Sequence, residues 1–501
     1  MGGTSWQRRF ADEAGWLTRF AVLRGLGFVY AVAFVSLLNQ LLPLLGEEGL
    51  TPVGPWLEQM ARRLGARGPL EGFLAHPTLF WIGASDDFLL AACALGAALS
   101  ALVLCGYANA LVMAALWLLY LSFVHVGQHW YGFGWEIQLL ETGFLAIFLC
   151  PLLDGRPFPR SPPPRPVLWL LRWLTFRIML GAGLIKLRGD PCWRDFTCLV
   201  YHYETQPVPG PLSWYFHHLP LPAHRLGVAF NHAAELLAPW LLFGPRRLRH
   251  AAAGLMALFQ GLLILSGNLA FLNWLTLVPV IGCLDDGLLR RLLPRRLVAA
   301  AARARAAAPL PTRKAAALPL AYAALVVVLS PAPLANLLSS RQIMNTSFDR
   351  LHLVNTYGAF GSVGRHRDEI VLQGTRDREI SDATDWREYE WKCKPGDPQR
   401  RPCLITPYHY RLDWLVWFAA MSTPERHSWL VRFAGKLLEN DPGALSLLAG
   451  NPFPDAPPHA IRAELYRYEF SDPGDPSGAW WRRRRLRSWL PPVLTRAPDS
   501  E

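Results

Sequence analysis

Long apolar runs recur from Phe20 to Leu338, divided by short loops marked by proline and arginine. A stretch such as "AALWLLYLSFV", set inside a longer apolar segment, is hydrophobic on every face of a helix. That suits a hydrocarbon solvent and not one side of a soluble core. Composition agrees: 52% of the 501 residues are hydrophobic and 18% charged, where soluble domains carry about 25% charged residues. The chain is expected to be a polytopic α-helical bundle in a lipid bilayer.

The runs place spans at about Phe20–Leu45, Phe88–Leu104, Ala108–Val124, Ile137–Leu153, Val167–Leu187, Leu226–Phe243, Ala251–Leu265, Phe271–Leu284 and Ala315–Leu338. The linker "DGRPFPRSPPPRP" cannot continue a helix and fixes the boundary between the fourth and fifth. Residues 20–338 thus form a transmembrane domain of about nine spans, the last three being the shortest or most proline-broken. Orientation follows from the arginines. Arg8, Arg9 and Arg19, the linker's Arg156, Arg160 and Arg165, three in "GPRRLRH" and eight basic residues over Arg290–Lys314 share one side if the count is odd. The opposite loops "HVGQHWYGFGW" and "SGNLAF" have no Lys or Arg. By the positive-inside rule residues 1–19 are cytoplasmic and everything after Leu338 lies on the far side. The net charge of +12 is then membrane topology, dispersed over loops, and no nucleic-acid partner is expected. The start "MGGTSWQRRFADEAGW" lacks the pattern of a cleavable signal peptide.

From Ser339 the long apolar runs stop. "LHLVNTYGAF", "DEIVLQGT", "WREYEWKC" and "ELYRYEFS" alternate like strands, while "RLDWLVWFAA" and "SWLVRFAGKLLEND" are patterned as amphipathic helices. Residues 339–501 are expected to form a soluble α+β domain with an antiparallel sheet. The run "WWRRRRLRSW" suits either a solvated element edge or a contact with lipid headgroups or a partner.

Cys93, Cys105, Cys150 and Cys283 fall in or at the ends of spans, where a thiol acts as a small hydrophobe. Cys192, Cys198, Cys393 and Cys403 fall on the far side and are disulfide candidates; neighbours pair naturally, and crossed pairing stays open. No G-x-S-x-G, P-loop, G-x-G-x-x-G or H-E-x-x-H signature is present. His125 and His129, spaced i, i+4, lack a third ligand in a known pattern, so neither metal nor cofactor is expected. Glu141, Arg177, Lys186 and Glu235 are polar groups within or at the edge of spans. An unpaired ion there is costly, so they should face the bundle interior, Glu141 with Arg177 as the preferred pair across consecutive spans.

The blocks "WEIQLLETGFLAIFLCPL", "FRIMLGAGLIKLRGDPCWRDFTCLVYHYETQP", "LSGNLAFLNWLT", "NLLSSRQIMNT", "LHLVNTYGAFG" and "YEWKCKPGDPQRRPCLITPYHYRLDWLVWFAA" resemble, in this order, the lipase maturation factor family. The resemblance runs from about Trp16 to Trp489. It implies a multi-pass protein of the endoplasmic reticulum membrane, non-enzymatic, that helps secreted lipases of the lipoprotein-lipase type fold and assemble into homodimers. Its C-terminal domain would be lumenal. Arginine outnumbers lysine about nine to one among the 50 basic residues, a bias common in GC-rich genomes. In a bacterial member the membrane would be the plasma membrane and the far side the periplasm. Aromatics after the second cysteine, Tyr201, Tyr203 and Trp214, are candidates for contact with a client or with the C-terminal domain.

"GAGLIKL", with Trp193 beyond it, is also similar to a segment of the vitamin K-dependent carboxylase and its relatives. That likeness implies an alternative, an intramembrane enzyme with Lys186 as its base. Transport ranks third, because the two halves show no repeat.

Overall fold

The computed structural model describes residues 15–309 and 313–494; Arg8 and Arg9 lie outside them. Helix α1 is Trp16–Leu38, α2 Asp86–Cys105, α3 Ala110–Val126, α4 Gly134–Leu149 and α5 Arg165–Arg188. Helix α6, Leu221–His232, continues through a π-helical turn at Ala233–Leu237 into a last turn at Ala238–Leu241. Then come α7 Arg246–Ser266, α8 Leu272–Ile281, α9 Arg313–Leu329 and α10 Pro331–Leu338. Among the described residues four helices, α1, α2, α5 and α7, are long and apolar enough to cross a membrane. The pair α9–α10, bent by 42°, makes five if it is one broken span. Every apolar segment of the sequence becomes helix, but α3, α4 and α8, at 17, 16 and 10 residues, are short for a full crossing and α6 is interrupted, so length and composition alone give fewer crossings than nine.

Local chemistry sets the helix ends. Ser85 caps α2 and Asn109 caps α3 through their side-chain oxygens. Helix α1 is capped from across the bundle: the Asp286 carboxylate accepts the N–H groups of Trp16, Leu17 and Thr18 at 2.9, 3.0 and 3.1 Å. Helices α1 and α2 approach closely at two glycines. A Cβ at Gly27 would lie 2.7 Å from the Leu104 backbone nitrogen, and one at Gly96 2.3 Å from the Phe34 ring, so neither position accepts a side chain.

In the C-terminal domain, β1 Arg367–Thr375, β2 Arg387–Glu388, β3 Ala460–Phe470 and β4 Trp481–Leu494 form an antiparallel sheet in the order β2-β1-β3-β4. Ile370 pairs with Leu465 and Leu372 with Ala463. This face packs on α11 (Arg411–Ala420) and α12 (Ser428–Leu438), which contribute Leu412, Val416, Leu430 and Phe433 to one core continuous with the membrane helices. The opposite face buries Val371, Tyr468, Phe470 and Trp481. Two strand expectations change. Residues 351–360 form an irregular segment, because their backbone and side chains bond to helices instead of to a sheet. Residues 386–393 contribute only the two-residue β2 and an isolated bridge from Trp391 to Leu448. The arginine run is strand β4, with Arg482, Arg483 and Arg485 paired to Asp472, Glu388 and Glu464.

Candidate functional site at the domain junction

Near the end of α5, Lys186 is 4% exposed and Glu235 3%. Lys186 Nζ donates to both Glu235 carboxylate oxygens, at 2.5 and 2.7 Å, and to Asn231 Oδ1 at 3.1 Å. Asn231 Nδ2 in turn donates to Glu235 Oε2 at 3.0 Å. Asn231 and Glu235, four residues apart, share one face of this helix, and together they meet the charge of the buried lysine.

A second buried pair joins α4 to α5. Arg177 Nη2 donates to Glu141 Oε1, and the irregular segment closes over both. Glu141 Oε2 accepts the Asn355 backbone N–H at 3.0 Å and the Tyr357 hydroxyl at 2.7 Å, while Arg177 Nη1 donates to the Asn355 carbonyl at 2.7 Å. The ion pair therefore acts as a socket for the chain that leads into the C-terminal domain.

A third pair was not legible in the sequence. Arg411, at the start of α11, donates to Glu136 of α4 at 2.8 Å and to the Trp130 carbonyl at 2.5 Å, with its guanidinium 3.6 Å from the Tyr131 ring centroid. Glu136 also accepts the Tyr120 hydroxyl and, at 2.9 Å, the Trp135 indole N–H. Gln40 of α1's trailing turn bridges the same junction, accepting the Arg411 N–H at 2.9 Å and donating to the His409 carbonyl at 2.7 Å. Arg367 of β1 does equivalent work on the loop after α5, donating to the carbonyls of Glu204 and Pro207 at 2.9 Å and to that of Gln206. Arg367 and Lys394 share the buried Glu369 carboxylate, and burial pulls the Lys394 ammonium down to about 8. The Glu204 side chain accepts the Phe470 N–H at 2.8 Å; burial nonetheless pushes its carboxyl up to about 7.

Cys192 is bonded to Cys198 and Cys393 to Cys403. After the first bridge the chain turns under the sheet. Trp214 donates its indole N–H to the Ser471 carbonyl at 3.0 Å, Tyr203 stacks on Phe216, and Tyr201 lies beneath Arg365. His129 is exposed, and His125 Nε2 lies 3.1 Å from His352 Nε2. Among the described residues no group of three or more His, Cys, Asp or Glu side chains is arranged to hold a metal ion.

Beneath the junction lies a cavity of about 640 Å³, lined by residues of α4, α5, α6, α7 and α8, of the connection between α5 and α6, of the irregular segment 344–362, and of α11. Lys186, Asn231 and Glu235 are part of its wall; Glu141 and Arg177 are not.

Fold and junction together define a helical membrane protein with an α+β domain clamped onto its helix ends by buried ion pairs. Family models agree. "Lipase maturation factor transmembrane domain" matches residues 17–291, and "Lipase maturation factor C-terminal domain" matches residues 353–491. Lipase maturation factor 1 of Bos taurus is 50% identical over 500 residues, 95% of this chain and 89% of the relative. The Homo sapiens protein is 50% identical over 502 residues, covering 95% and 88%. Lipase maturation factor 2 of Xenopus laevis is 32% identical over 598 residues, covering 96% and 83%. No solved structure matches. The chain belongs to the lipase maturation factor family.

Proposed function

We propose that this chain is a maturation factor for secreted lipases, acting from the endoplasmic reticulum membrane on clients that fold and pair into homodimers on the lumenal side. The observation that carries the reading is 50% identity to lipase maturation factor 1 across 95% of the chain, both domains included. Nine crossings, with the N-terminus cytoplasmic and the C-terminal domain lumenal, belong to the proposal; the one-sided arginines support them. So does the placement of both disulfides after the fifth span, where an oxidising lumen would maintain them. The half-buried Tyr201, Tyr203 and Trp214 are proposed as client contacts. Binding partly folded lipase and withholding it from aggregation requires no catalytic group.

The alternative, an enzyme with Lys186 as base, is favoured by one observation: Lys186 lines the cavity. Against it, Lys186 Nζ is already committed to Glu235 and Asn231. The experiment is co-expression with a dimeric secreted lipase in cells lacking their own maturation factor, reading secreted lipase activity per unit lipase mass. Restored specific activity is expected. No rescue by a well-inserted chain would overturn the reading, and unchanged rescue by alanine at Tyr201, Tyr203 and Trp214 would overturn the client contacts.

A further inference from the structure

Lipase maturation as proposed leaves the cavity beneath the junction without a task. We propose that it binds a neutral membrane amphiphile, a single acyl chain with a head of hydroxyl and ester groups, of the monoacylglycerol type. At about 640 Å³ the cavity lies within the ~300–1,000 Å³ range of small-molecule sites. Its wall is mostly apolar, with polar groups gathered within two turns of the helix ends that meet the C-terminal domain: Gln138 of α4, Gln260 of α7, and Asn273 and Thr276 of α8.

Those amides are not fully satisfied by one another. Gln138 Nε2 donates to Thr276 Oγ1 at 3.1 Å and Asn273 Nδ2 donates to Gln260 Oε1 at 2.7 Å. Gln260 is only 4% exposed, yet among the described residues its own Nε2 meets nothing better than the Met179 sulfur at 3.6 Å. A thioether is a weak acceptor, so a buried primary amide facing one has lost most of what water would give it. A hydroxyl or ester oxygen in the cavity restores that bond.

Charge selects the head. Lys186 and Glu235 are the charged side chains of the wall among the described residues, and they cancel. His202, also in the wall, is held neutral by burial, its pKa drawn down to about 4. An anionic head would meet the Glu235 carboxylate with no spare cation, and a cationic head would meet Lys186; a neutral one meets neither penalty.

Entry is sideways. Leu219 and Leu262 are exposed, and Ala223, Gly227 and Phe230 half-buried. The wall therefore opens between α6 and α7, beside the surrounding lipid, where an acyl chain can slide in with its head toward the amides. The π-helical turn that carries Glu235 lies on this same wall, and such turns gather at functional sites.

The test reads binding alone, so its failure is separate from failure of the lipase reading. The full chain is purified, placed in phosphatidylcholine nanodiscs and photolabelled with monooleoylglycerol carrying a diazirine on its chain; labelled peptides are then mapped. Saturable labelling of peptides around Ala223–Phe230 and Phe259–Leu263 is expected, competed by plain monooleoylglycerol and not by oleate. Gln260→Leu should raise the half-saturating concentration about tenfold, the equivalent of one hydrogen bond at ~1.4 kcal/mol. Ala223→Trp fills the mouth away from the amides and should abolish labelling in a chain that elutes as the parent does. Non-saturable labelling spread over the outer faces of α2 and α7, equal competition by oleate, or saturable labelling unchanged by both variants would each overturn the proposal.

Discussion

Replacing Arg411 by Met tests whether the junction is held by charge. The Arg411 side chain is 1% exposed and Glu136 fully buried, and the pair is the direct ionic contact between α11 and α4. Removing the cation strands a carboxylate, a loss of about 3–5 kcal/mol for a buried pair. Glu136 keeps the Tyr120 hydroxyl and the Trp135 indole as donors, which argues for the low end. We expect ~3 kcal/mol, more than a hundredfold in the docked-to-undocked ratio. For a chain of this size that corresponds to a fall in Tm of about 3 °C, read by intrinsic tryptophan fluorescence in mild detergent. Glu136→Gln alone should also destabilise, by isolating Arg411. The double variant removes both charges and should recover ~2 kcal/mol relative to the sum of the singles. If Arg411→Met lowers Tm by less than ~1 °C, or the double variant equals the sum of its parts, the pair does not hold the junction.

At the Lys186–Glu235 pair, Lys186→Met should lower protein yield by stranding Glu235, whereas Lys186→Met with Glu235→Met should restore yield and lipase maturation per molecule; a double variant that is abundant but inactive would instead support a chemical role for Lys186. The carboxyl of Glu204 faces the Phe470 N–H, His217, Arg367 and Glu469. Its pKa is raised on folding, so the native state holds a proton that the unfolded chain releases. Stability is fullest below the ordinary glutamate value of about 4.3 and falls as pH rises towards about 7. Glu204→Gln should flatten that slope, and Tm measured against pH would show it. Asn345 opens the sequon Asn345-Thr346-Ser347, but its Oδ1 accepts the Gly358 N–H at 3.3 Å and its amide abuts Gly134; Asn345→Gln should leave the mobility of the chain on a gel unchanged. Opening the Cys393–Cys403 bridge by Cys→Ser substitution removes a closed loop with a sequence separation of 10, worth about 2.5 kcal/mol by chain entropy, and differential scanning fluorimetry should register the loss.

Much of the architecture follows from local sequence. An apolar run is a one-dimensional property, and each became helix from α1 to α10. Alternation in "DEIVLQGT" and "ELYRYEFS" marks β1 and β3, because one face of each buries Ile370, Leu372, Ala463 and Leu465. The same alternation misleads at 351–360, where the partners are an ion pair and a helix end instead of a strand. That charged side chains in hydrocarbon need partners is also a sequence-level rule, and it bears on Glu141, Arg177, Lys186 and Glu235. Their completion by Asn355, Tyr357 and Asn231 has no sequence signal, since asparagine and tyrosine serve many environments.

The sequence by itself determined a helical membrane region, an antiparallel sheet after it and membership in a family. It did so because hydropathy, periodicity and shared blocks are read within one segment at a time. Tertiary structure alone decided that Arg411 reaches Glu136, that Asp286 caps α1, and that five helices, two connecting segments and α11 line one cavity. These are contacts between residues some 270 positions apart, and their existence depends on how the helices pack, a property that no single segment carries.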